Sequence, residues 1–249
     1  MPSFSQSRIA AKLQDMVSKR REEAGLYREI AEQLPLTDTG RLLDVGTGSG
    51  LQLKVIHNMR PSLELFGLDI SSASIRVAHR NLEGIEVDLR EGSIENTSYD
   101  DDFFDIVTCN TSMSYWKNPM SCFDEIHRIL KPGGAAILFE PQKDIDIDEV
   151  VETIRTNLAD KGPLRRFAAI SLNKLALRWG HKFGLRLYSV DELEEIAARS
   201  RFGNNNSIER VTLQNLPIFV RITLVKPGEA TTGIIKRSLA KTPSGVLRW

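Results

Sequence analysis

Leu42-Leu43-Asp44-Val45-Gly46-Thr47-Gly48-Ser49-Gly50 is the stretch on which the fold turns. A short apolar run passes into three closely spaced glycines, and a helical pattern starts at Leu51. Apolar runs of this length bounded by glycine predict a buried strand, and the glycines allow the backbone a sharp turn with φ > 0. Working outward from it, apolar strands and helical patterns alternate. Leu63–Ile70, Ile85–Leu89, Phe104–Asn110 and Ala135–Phe139 read as strands. Helices are expected near Leu51–Asn58, over Ser71–Leu82 with serines at its start, and over Pro119–Leu130. Lys131-Pro132-Gly133-Gly134 reads as a turn. Such alternation predicts a doubly wound α/β fold around a mostly parallel sheet.

Both flanks carry further signals. Between Arg8 and Leu34 the apolar spacing fits two helices broken near Gly25. Ser189–Arg201 reads as a helix opened by a Ser189/Glu192 capping box. Ser207–Leu213 and Phe219–Val225 follow as β-rich runs joined around Asn215-Leu216-Pro217. A link that short makes them antiparallel, because a parallel crossover needs about a dozen residues. Seven strands are therefore expected, the last two a hairpin. Asp144–Leu158 and Pro163–Trp179 look helical and fall in an insertion, 142–188, that suits a lid over the sheet. The division expected is one domain over 1–225, with N-terminal helices in 1–34, and a tail over 226–249.

Composition narrows the function classes. The 249 residues hold 33 Lys and Arg against 33 Asp and Glu, which gives no global bias toward nucleic acid or an anionic membrane. The two cysteines, Cys109 and Cys122, lack zinc spacing, so no metal site is expected and free thiols in a reducing compartment are. The start lacks the apolar stretch of a secretory signal, and no run approaches the ~20 residues of a membrane span. A cytoplasmic setting is the expectation, in which the sequons at Asn96 and Asn110 carry no meaning.

A glycine-rich turn by itself is either a tight turn or a ligand cradle at the carboxyl end of a parallel strand. Asp69, ending the second strand, is placed to accept from ribose hydroxyls, although alone it could equally cap the next helix. Asp44 separates the ligand classes. A carboxylate beside the turn repels the pyrophosphate of a dinucleotide and suits a ligand carrying an ammonium group. That argues against a nucleotide-dependent oxidoreductase.

On these residues the chain resembles the class I S-adenosylmethionine-dependent methyltransferases, from about Leu26 to Val225. Leu43–Gly50 is similar to the family's first motif and Gly67-Leu68-Asp69-Ile70 to its second. Arg90–Glu95 is similar to the adenine segment, Phe103–Val107 to the fourth strand and Ile129–Gly134 to the turn into the fifth. The resemblance implies a Rossmann-like methyltransferase fold and S-adenosylmethionine as cofactor, S-adenosylhomocysteine being the product. It implies that Asp44, Gly46, Thr47, Gly48 and Gly50 hold the methionine part, Asp69 the ribose and Ile70 one adenine face. Ser93 and Ile94 would meet the adenine edge, and Asn110 would line the methionine pocket through its backbone. The family often has an acidic residue where this chain has Ser93, which makes Glu95 an alternative for that contact.

Methyl transfer relies chiefly on alignment of the acceptor, so no triad, metal cluster or carboxylate pair is required. A small-molecule acceptor is expected. Asn110–Trp116 is one candidate wall of its pocket, with Tyr115 and His181 as weak catalytic candidates. Trp116 reads as a hydrophobic anchor, and His57, His79 and His127 as helix-surface residues. Lys161, Arg165, Arg166, Lys174, Arg178, Lys182 and Arg186 lie in a stretch without an acidic residue, interleaved with apolar ones. They form either a solvated basic helix face or a lid for an acidic, amphipathic acceptor, with peripheral membrane contact open. Methylation of RNA or protein, and cofactor binding without catalysis, stand as alternatives. Nucleic acid is the weaker, since Asn110-Thr111-Ser112-Met113 is not the Asn/Asp-Pro-Pro-aromatic run associated with base methylation.

Overall fold

The computed structural model describes residues 8–23, 25–157 and 186–228. Seven strands make one sheet: β1 Gly40–Val45, β2 Leu63–Asp69, β3 Val87–Glu91, β4 Phe104–Asn110, β5 Leu130–Pro141, β6 Asn206–Leu213 and β7 Leu216–Val225. Their order is β3-β2-β1-β4-β5-β7-β6, with β7 antiparallel to both β5 and β6 and every other pairing parallel. The helices are α1 Arg8–Glu23, α2 Leu26–Glu32, α3 Leu51–Met59, α4 Ser72–Asn81, α5 Pro119–Ile129, α6 Ile147–Asn157 and α7 Val190–Arg199.

Side chains alternate across the sheet with the period of two that extended backbone imposes. On β5, Ala135, Ile137 and Phe139 join Leu42, Leu53 and Ile56 in one core. Ala136 and Leu138 join Leu43, Phe123 and Leu193 in the other. Helices α2, α3 and α4 cover the first face; α5 and α7 cover the second. Burial on both faces explains why the central strands read as continuous apolar runs.

Several boundaries differ from the sequence reading. β3 starts at Val87, because the Ile85 amide donates to Leu82 O at 2.9 Å and so closes the helix rather than opening the strand. Lys131–Gly134 is both turn and strand. Phe104 pairs with Leu130 and Ile106 with Ala135, so the four residues bulge out of a longer β5, with Gly133 at φ 82°. The hairpin turns at Gln214 and Asn215, φ 53° and 57°, at the front of the expected Asn215-Leu216-Pro217 link, and Leu216 and Pro217 already belong to β7. Pro217 lies inside β7, beyond Phe219 where pairing with β5 ends, and its missing N–H costs no bond to that strand. Gly25 breaks α1 from α2 at φ 81° as expected, and the Ser189/Glu192 capping box is present at the start of α7. The expected helix over Pro163–Trp179, the basic cluster before Arg186, His181 and the tail from residue 229 fall outside the described residues.

Candidate active site

The turn after β1 is held by its own amides. Gly46 and Thr47 N–H both donate to Leu68 O of β2, at 2.7 and 3.1 Å. Gly48 N–H donates to Asp69 Oδ2 at 2.9 Å, and Ser71 N–H to Asp69 Oδ1 at 2.8 Å. Asp69 therefore clasps the glycine turn to the start of α4. Two acceptor sites on its carboxylate remain for a ligand. Ile70, beside it, is 57% exposed, an apolar surface facing out of the strand ends. Gly46 is needed for space as well as for its φ of 70°: a Cβ there would lie 2.4 Å from Ser112 Cβ.

Asp44 is buried, and among the described residues no lysine, arginine or histidine pairs with it. Burial pushes its carboxyl up to about 7; the Thr47 hydroxyl draws it down and the charge of Asp69 raises it again. Asp69 is raised by burial too, against the pull of the Ser71 and Gly48 amides. Two buried carboxylates without a cation are an arrangement that an incoming positive charge would relieve. Thr47 Oγ1 and Asn110 Oδ1 are also buried without a hydrogen bond of good geometry in the protein. Asn110 is oriented by its amide, which donates to Gln52 Oε1 at 3.2 Å, while Gln52 in turn donates to Thr108. These orphan oxygens fit a polar ligand in the turn.

The segment expected to meet adenine is less uniform. Ser93 is half-buried, and its Oγ accepts from Glu95 N–H at 3.2 Å. Ile94 packs in the core beside Tyr99, so only its backbone faces outward. Glu95 turns the other way and accepts from Asn118 N–H at 3.0 Å.

The candidate acceptor wall, Asn110–Trp116, rests on a residue that the sequence did not single out. Glu140, fully buried at the carboxyl end of β5, accepts Ser112 and Met113 N–H on Oε1, both at 2.8 Å, and the Ser114 hydroxyl on Oε2 at 3.2 Å. Burial pushes its carboxyl up to about 7 against those donors. The loop it gathers leaves β4 through Thr111, a β-branched residue at φ 56°, a strained conformation. Ser112 Oγ also donates to Val45 O at 3.2 Å, which seats the loop directly on the glycine turn. Tyr115 is 58% exposed at the loop's tip. Trp116 does pack as an anchor, edge-on to Phe123. His79 is exposed, whereas His127 is half-buried against Phe202 with its ring centroid 5.0 Å away, not a free surface residue.

Helix α1 closes the other side. Asn81 on α4 donates to both Asp15 and Ser49 O at 2.9 Å, and the Gln14 amide lies over Gly48. Arg21 Nη1 donates to Thr111 Oγ1 at 3.3 Å. Nothing in the helical periodicity of α1 separates these residues from ordinary surface ones; their role comes from tertiary placement.

A model of the methyltransferase domain matches residues 43–138, from the strand before the glycine turn through β5. The uncharacterised methyltransferase YdaC of Bacillus subtilis is 32% identical over 123 residues, 49% of this chain and 68% of that protein. The chain belongs to the class I S-adenosylmethionine-dependent methyltransferases. Within that family, the demethylmenaquinone methyltransferase of Chlorobaculum tepidum is 32% identical over 114 residues, 46% of each chain. The chain thus spans about two thirds of YdaC and under half of the quinone-named relative. The fold agrees with an S-adenosylmethionine-dependent methyltransferase from Aquifex aeolicus, at TM-score 0.58 and 15% identity, over 86% of this chain and 98% of that one. Among the described residues no helix is long and apolar enough to cross a membrane, and no group of three or more His, Cys, Asp or Glu could hold a metal.

Proposed function

We propose that this methyltransferase binds S-adenosylmethionine in the glycine turn and methylates a small molecule presented at the Thr111–Trp116 loop. The observation that carries the reading is Asp44: a buried carboxylate beside a bare backbone turn, with no cation of the protein on it among the described residues. An ammonium group would satisfy it, the orphan Thr47 and Asn110 oxygens would gain partners, and Asp69 would take the ribose. Ile70 would pack on adenine, with Ser93 and the Ile94 backbone at its edge. When bound, the cofactor would supply a methyl carbon activated by a sulfonium for transfer to a lone pair of the acceptor. The chain's own part is to align the acceptor and exclude water. The quinone-named relative supports a small acceptor. Residues 1–225 would form the catalytic domain.

The test is a thermal-shift comparison. S-adenosylhomocysteine at 100 times its Kd should stabilise the protein by about 2.7 kcal/mol while NAD does nothing. Stabilisation by NAD and none by S-adenosylhomocysteine would return the chain to the nucleotide-dependent class.

A further inference from the structure

Beside the Thr111–Trp116 loop stands a cation that no carboxylate of the described residues neutralises. Arg21 stands in the last turn of α1, half-buried, with Nη1 on Thr111 Oγ1 at 3.3 Å. Among the described residues no carboxylate lies within ion-pair distance of it. Its charge reaches the Tyr27 hydroxyl on α2 and that of Tyr115, lowering each pKa against the larger upward effect of burial. The guanidinium hydrogen-bonds the hydroxyls of Thr111 and Tyr27, neutral groups that orient it without neutralising its charge, and fork-shaped donors of this kind match oxyanions.

We propose that Arg21 is the anion-recognition residue of the acceptor pocket: the acceptor presents an oxyanion, an ionised acidic hydroxyl or a carboxylate, to this guanidinium. The proposal rests on the methyl-transfer reading above and names its substrate class. Arg21 touches Thr111, past the end of β4, and its charge reaches the exposed Tyr115, both of the candidate acceptor wall. The carboxylate of a bound methionine moiety would have another anchor at the start of α3, whose N-cap Gly50 offers no side-chain hydrogen bond.

The same placement accounts for deprotonation without a base on the loop. Among the described residues the histidines lie on α3, α4 and α5, and Glu140 is sealed beneath the loop. A cation within about 4–6 Å lowers the pKa of an acidic group by one to three units. The acceptor's proton then passes to solvent on binding, and the lone pair stays on oxygen facing the methyl site.

Binding of 4-nitrophenol to the complex with S-adenosylhomocysteine tests this, because the phenolate absorbs apart from the phenol. In the wild type the bound probe should ionise at least about one pH unit below the free probe. Arg21→Gln should abolish the shift and weaken phenolate binding about tenfold. Arg21→Lys should restore most of the shift, and neutral 4-nitroanisole should bind all three proteins alike. An unshifted probe on the wild type, or an equal shift on Arg21→Gln, overturns the proposal. So does a loss of affinity in Arg21→Gln for S-adenosylhomocysteine but not for 5′-methylthioadenosine, which would place the guanidinium on the cofactor. Failure of the wild type to bind S-adenosylhomocysteine would instead sink the underlying reading.

Discussion

At the scale of single residues, Asp44 and Glu140 are carboxyls that burial pushes up to about 7. A carboxyl raised in the folded state holds its proton longer there than in the unfolded chain. Between the unfolded value near 4.5 and the folded value near 7, the native state binds more protons, so stability falls as pH rises through that window. Glu140 alone accounts for up to about 3 kcal/mol of that loss. Glu140→Gln keeps a carbonyl for the Ser112 and Met113 amides and removes the titration. Thermal unfolding of the ligand-free protein between pH 5 and 8 should show a falling Tm in the wild type and a flatter profile in the variant. Parallel profiles would mean that Glu140 does not titrate in this range.

At the scale of elements, the glycine turn and the acceptor loop form one packed unit. Gly46→Ala puts a Cβ 2.4 Å from Ser112 Cβ at a φ of 70°, so it should displace the loop and destabilise by about 1–3 kcal/mol, read by denaturant midpoint. A cost within error would mean that Ser112 does not sit on the turn. The cap of α7 is a separate unit: Ser189→Ala removes the acceptor for Glu192 N–H at 3.2 Å and should cost about 1 kcal/mol without touching cofactor affinity. Elements of this kind were legible in sequence because their causes are local. Caps, glycine breaks and apolar runs mark α7, the Gly25 break and β1. The start of β3 was not legible, because Ile85 is apolar whether it closes a helix or opens an edge strand. The hairpin link was placed over Asn215–Pro217, about one residue too far along, because Pro217 is tolerated inside β7 only beyond Phe219, where pairing with β5 ends.

At the scale of the whole molecule, the order β3-β2-β1-β4-β5-β7-β6 brings the carboxyl ends of β1, β2, β4 and β5 to one edge. Asp44, Asp69, Asn110 and Glu140 meet there from four strands. The first three could be proposed from the strand ends that the glycine turn defines. Glu140 is a lone acid after an apolar run, and its burial is invisible until β4 and β5 are adjacent. Arg21 and Gln14 depend on α1 folding back over the turn, a long-range contact that no local pattern encodes.

Asp44, ahead of the turn, is proposed to recognise the ammonium group of the S-adenosyl ligand. Calorimetric titration of S-adenosylhomocysteine into wild type and Asp44→Asn at pH 6 and pH 7.5 tests it most directly. The wild type should bind more tightly at the higher pH, as Asp44 ionises, and the variant at least about tenfold more weakly and independently of pH. Because the ligand-free variant loses only an uncompensated buried charge, its own Tm at pH 7.5 should not drop. Equal affinities for the two proteins at both pH values would mean that Asp44 does not hold the ammonium group.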